Sequence, residues 1–197
     1  VGSEMCIRDR SCTMQQAVFW IAFKGGNDLN SFERLLEHTD TQHIRVLEKQ
    51  FKSNAKGLIK GNKIAIRQDI PTVEKASVLA EELGHYYTTV GNILDQEDAG
   101  NRKQEHKART WAYNRLIGLS GLVRAYEKGC TTIYEMAEEL EVCEDFLRSA
   151  LDHYHDKYGC CTDYNGYRIS FEPSFSITSL EEEAHRTVPP TGHRPDA

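Results

Sequence analysis

The 197-residue chain has no apolar run long enough to cross a bilayer. Its longest, Ala17 to Phe23, has seven residues, where a spanning helix needs about 20. That run is also short for the core of an export signal. CxxC spacing is missing as well. Cys6, Cys12, Cys130, Cys143, Cys160 and Cys161 read as reduced thiols of a cytoplasmic protein. Nor is there a surplus of positive charge: 24 basic against 30 acidic residues leave a net charge of −6. No direct nucleic-acid binding and no membrane partner are therefore expected. The chain opens on VGSEMCIRDR, without a leading Met or any periodicity. Val1 to Arg10 reads as translated sequencing adaptor, and residues 1–26 are set apart as a non-native N-terminal segment.

The remainder suffices for one domain with its own core, expected over residues 27–172. Residues 173–197 include three consecutive Glu and Pro189-Pro190 and are expected to form a flexible C-terminal tail. Within the domain, Leu29, Phe32, Leu35 and Leu36 recur at helical spacing after an Asn27 or Asp28 cap. Ile44 and Val46 alternate like a strand. In GLIKGNKIAIR, Gly57 to Arg67, two apolar segments flank Lys60-Gly61-Asn62-Lys63, the pattern of a β-hairpin. Pro71, Thr72 and Glu74 mark the start of a helix running to about Val90-Gly91, with Thr72 as cap. A loop is expected over Asn92 to Arg102, then a second helix from Lys103 to Leu119. Gly121 to Glu127 continues or restarts that helix, and Gly129 ends it. Two further helices, Thr131 to Leu140 and Cys143 to Tyr158, outline a helix-turn-helix. The second carries Glu144, Asp145, Asp152 and Asp156 against Arg148 and Lys157, which suits packing or protein docking better than phosphate contact. Tyr167 to Phe171 alternates like a strand, closed by Pro173.

The chemistry centres on EKASVLAEELGHYYTTV, Glu74 to Val90. On a helix, Glu81 and His85 stand one above the other at i and i+4, with Glu82 about 100° around. This is the HExxH arrangement with Glu in place of the first His. In HExxH the outer residues hold zinc and the inner Glu serves as general base. Ala76, Leu79, Ala80 and Leu83 form the buried stripe. Gly84, costly inside a helix, requires a local reason such as close approach of another backbone or a metal. The same offsets also fit an ordinary solvated face. On the second helix, Glu105 lies one turn before Ala108 beside an apolar face of Ala108, Trp111, Ala112 and Leu116. It is either a third ligand or a first-turn Glu complementing the helix dipole. A second constellation, Cys160-Cys161 with Asp163, His153 and His155, is weaker, since adjacent cysteines diverge and no base is fixed near them. His38, His43, His106, His185 and His193 are assigned to the surface.

From Leu58 to about Tyr158 the chain resembles the ImmA/IrrE family of zinc metallopeptidases. The resemblance rests on the hairpin GLIKGNKIAIR, on AEELGHYYTT, and on Glu105-x-x-Ala108-x-x-Trp111-Ala112. It implies an α+β fold, a small zincin-like domain in which a short antiparallel sheet packs on the active-site helix with several further helices. It implies Zn2+ held by Glu81, His85 and Glu105, with Glu82 as catalytic base. It also implies a protein substrate, a helix-turn-helix repressor of a phage or mobile element. Glu81 departs from the family pattern. Two carboxylates and one imidazole make a harder, more negative set that also admits Mn2+ or Fe2+. An edge of Ile64 to Arg67 is the expected pairing site for an extended substrate. The alternative is a catalytically inactive module that sequesters such a regulator through Thr131 to Tyr158. A DNA-binding regulator is a third reading, opposed by the charge of the last helix.

Overall fold

The computed structural model describes residues 29–88 and 98–181. Helix α1 (Ser31–Thr41) is followed by strands β1 (Arg45–Lys49), β2 (Gly57–Lys60) and β3 (Lys63–Arg67), then helices α2 (Thr72–Thr88) and α3 (Asp98–Leu116). Helices α4 (Gly118–Glu127), α5 (Ile133–Leu140) and α6 (Glu144–Tyr158) come next. A second sheet, β4 (Cys161–Tyr164), β5 (Tyr167–Ser170) and β6 (Ser176–Ser179), ends the described chain. The fold is α+β, as the resemblance implied. Among the described residues no helix is long and apolar enough to cross a membrane.

The cap of α1 is Asn30 and not Asp28. Glu33 stands three residues after Asn30, so the two form a reciprocal capping box, with Asn30 Oδ1 accepting from Glu33 N at 3.0 Å and Glu33 Oε2 from Asn30 N at 2.9 Å. Helix α2 opens one residue earlier than its expected Thr72 cap, because the Pro71 carbonyl already accepts from Lys75 N. Its expected end at Val90-Gly91 lies outside the described residues, as does most of the Asn92 to Arg102 loop. Helix α3 starts at Asp98, five residues before Lys103. It breaks at Gly118, whose φ of +58° belongs to the left-handed region that favours glycine.

The first sheet has the order β1-β3-β2 and is mixed. β2 and β3 form the expected antiparallel hairpin, but β1 joins β3 in parallel, pairing Val46 with Ile64 and Glu48 with Ile66. β3 is therefore central, and Ile64 to Arg67 has no open edge. Among the described residues the edge beside α2 belongs to β2. Ile64 and Ile66 point inward and meet Leu79, Ala80 and Leu83 of α2 in one core. Their burial on one face, with Ala65 on the other, follows the period-2 pleat.

Helices α5 and α6 keep the helix-turn-helix outline and are tied to the rest of the molecule by their turn. Glu141, at a φ of +54°, sends its carboxylate to Ser31 N at 2.6 Å, Ser31 Oγ at 2.8 Å and Arg34 at 2.7 Å. It thereby accepts a free N-terminal amide of α1. Part of the tail expected from residue 173 is ordered: Ser176–Ser179 pairs antiparallel with β5 and buries Ile177. The rest of that tail lies outside the described residues. Strand β4 also went unread. It forms a hairpin with β5 through Asn165-Gly166, both at positive φ, the turn that Asn-Gly favours.

Candidate active site

Helix α2 brings Glu81, Glu82 and His85 to the side where α3 crosses, and Gly84 sets how close α3 comes. A β-carbon on Gly84 would overlap the Ala108 carbonyl and lie 2.8 Å from its carbon. The expected local reason for this glycine is thus the backbone of the neighbouring helix. Such contact allows Glu105, three residues before Ala108, to meet His85, one residue after Gly84. Glu105 Oε2 lies 3.3 Å from His85 Nε2, and Glu105 Oε1 is ion-paired with Arg109, its Nε 2.8 Å away.

Glu82 faces another neighbour. A β-carbon on Gly57, the first residue of β2, would come within 2.5 Å of Glu82 Oε1 and 2.7 Å of Val78 Cγ1. The Glu82 carboxylate therefore sits against the start of the edge strand, in space that only a glycine leaves open. Among the described residues no hydrogen bond or ion pair holds it. Burial, followed by the charges of Glu81 and Glu105, pushes its pKa up to about 7. Burial raises Glu81 as well, Glu105 adds to the rise, and Arg109 and Lys56 oppose it. Lys56 is itself committed to Glu74 at 2.5 Å.

Of the four residues singled out in sequence, His85 and Glu105 touch. Glu81 stands one turn before His85 and is coupled electrostatically to Glu105, and Glu82 lies alongside. Among the described residues no three of His, Cys, Asp and Glu converge as a ready-made metal cage. The chemistry of the set nonetheless fits a divalent cation. Three carboxylates and an imidazole gather here, and the two on α2 are half-buried, mutually repelling and, among the described residues, without a hydrogen bond or ion pair. Sequence reasoning missed three contributors: Gly57, Lys56 and Arg109. Arg109 had a readable signal, its position four residues after Glu105 on a helix.

The cysteine alternative is not assembled. Cys160 and Cys161 are exposed with their sulfurs 3.9 Å apart, Asp163 pairs with Arg168, and His155 pairs with Glu172. His153 is half-buried and engaged elsewhere. Its ring packs among His106, Tyr113 and Tyr154, and burial lowers its pKa. His38 stays at the surface, half-covered, with its Nε2 3.0 Å from the Tyr87 hydroxyl.

No curated protein and no solved structure matches the chain. A family model does. The helix with Glu81, Glu82 and His85, the facing Glu105 and the β2–β3 hairpin all fall within a match to Peptidase_M78, the IrrE N-terminal-like domain, over residues 39–152, more than half of the sequence, and the chain belongs to that metallopeptidase family.

Proposed function

We propose that the protein is a cytoplasmic, metal-dependent endopeptidase whose substrate is a helix-turn-helix transcriptional repressor of a phage or mobile element. Glu81, His85 and Glu105 are its metal ligands, with Zn2+ the first choice and Mn2+ or Fe2+ admitted by the two carboxylates. These three side chains would hold a divalent cation, which when bound would supply Lewis acidity to the scissile carbonyl and to the attacking water. Glu82 takes the proton from that water at its carboxylate and passes it to the leaving amine. The observation that carries this reading is the placement of the Glu82 carboxylate, which lies against Gly57 at the start of β2, beside Glu81 and His85 on α2, with no hydrogen bond or ion pair among the described residues.

Strand β2 supplies the bed for the substrate. Arg67 N donates to the Lys56 carbonyl at 2.8 Å, and antiparallel ladders alternate hydrogen-bonded and open pairs. Gly57 and Ile59, paired with Ile66 and Ile64, are the open ones. Their backbone groups face away from β3 and are available to an extended peptide. Such a peptide would run past Gly57, directly beside the Glu82 carboxylate. This replaces the pairing site expected on Ile64 to Arg67.

A second reading has one observation in its favour. Arg109 already occupies Glu105 Oε1, as expected of a metal-free module that only sequesters a regulator through α5 and α6. Incubation of the purified protein with the repressor encoded beside it separates the two. The peptidase reading expects cleavage that Glu82→Gln slows by about 10²–10⁴-fold while the metal is retained. Binding without cleavage in the unmodified, metal-replete protein would leave the sequestering reading in its place.

A further inference from the structure

We infer that Arg109 is an internal counter-cation that neutralises the carboxylate cluster of the metal-free protein and competes with the metal for Glu105. The inference rests on the ligand set proposed above. Arg109 follows Glu105 by one turn of α3, and its Nε lies 2.8 Å from Glu105 Oε1. The other oxygen, Oε2, is 3.3 Å from His85 Nε2. Each oxygen of the third ligand therefore already lies against a protein nitrogen. The same guanidinium acts on Glu81 more strongly than any other charge near that residue. Lys56, the next cation in order, is tied to Glu74. Arg109 is thus the cation paired with Glu105 and the leading positive charge acting on Glu81.

A cation that takes Glu105 must draw Oε1 away from Arg109 and then meet the guanidinium's own charge. The side chains of Arg109 and Glu105 are 52% and 45% exposed, so the pair alone is worth a factor of about two to five in an equilibrium. Repulsion between the guanidinium and a divalent ion adds to that. Removal of Arg109 should therefore strengthen metal binding. A residue that merely positioned Glu105 would act in the opposite direction, since its loss would weaken binding.

The test is Zn2+ affinity, measured by competition with a chromophoric chelator at fixed neutral pH and salt, for the full chain and its Arg109→Gln, Arg109→Lys and Glu105→Gln variants. Circular dichroism establishes that each is folded. The expected result is binding about tenfold tighter in Arg109→Gln, with Arg109→Lys close to the unmodified protein because it keeps the charge. Equal or weaker binding in a folded Arg109→Gln overturns the inference. If Glu105→Gln abolishes binding in that same experiment, the metal-site reading survives it. Absence of Zn2+ binding in the unmodified protein overturns both. A second measurement requires no variant. The Arg109 Nε–H resonance of the unmodified protein should move when Zn2+ is added, and a resonance that stays in place overturns the inference.

Discussion

Gly84 lies so close to Ala108 that any side chain on it would overlap the Ala108 carbonyl. This one contact places α3 where Glu105 reaches His85 across two helices. A glycine inside a helix costs about 1 kcal/mol relative to Ala, and here that cost is offset by an inter-helix approach that no larger residue permits.

Gly84→Ala should therefore act in two ways. Overpacking against a backbone that cannot rotate aside destabilises by about 1–3 kcal/mol, readable by denaturant unfolding. Separation of the two helices should also weaken metal binding by about tenfold or more. A stable variant with full metal affinity would show that the helices do not depend on this contact.

The open edge of β2 predicts a different separation. Proline is tolerated on edge strands where its missing N–H faced solvent, and the Ile59 amide faces away from β3. Ile59→Pro, which also trims a side chain packed on the core, should lower stability modestly, keep metal content, and lower kcat/KM for the protein substrate by about tenfold. Unchanged cleavage by a folded Ile59→Pro would mean that the substrate does not add to this strand.

Glu82 gives a pH dependence whose sign is fixed. Its pKa stands at about 7 instead of the ordinary 4.5, so the folded chain holds this proton more tightly than the unfolded chain does. The resulting stabilisation is complete below 4.5 and is lost as pH rises through about 7. For chelator-treated protein the loss should be on the order of 1–2 kcal/mol, allowing for the part of the carboxyl that water reaches. Glu82→Gln should flatten the stability profile in that window. An identical slope in the variant would assign the dependence to another group.

How much of this was legible beforehand divides along the range of the interactions. Glu81, Glu82 and His85 announce themselves because their relation is local, set by 3.6 residues per turn. Glu105 was legible from its place beside Ala108 and Trp111, and Gly84 from its cost. The open edge expected on Ile64 to Arg67 is covered, because hairpin signals specify β2 against β3 and say nothing of β1. That strand pairs with β3 across 18 residues of sequence, Arg45 to Lys63. Arg109 was hidden in plain view, since an i,i+4 partner of Glu usually marks only a solvated face. Strand β4 was overlooked although Asn165-Gly166 signalled it, because Cys161 to Tyr164 is short and largely polar.

Elemental analysis of purified protein decides whether Glu81, His85 and Glu105 hold a metal that Glu82 serves without binding. Under metal-replete conditions about one equivalent of metal is expected in the unmodified protein and in Glu82→Gln. Little or none is expected in Glu81→Ala, His85→Ala and Glu105→Ala, and an unchanged content in His106→Ala. Metal absent from the unmodified protein, or retained after loss of Glu105 but not of His106, would contradict that assignment.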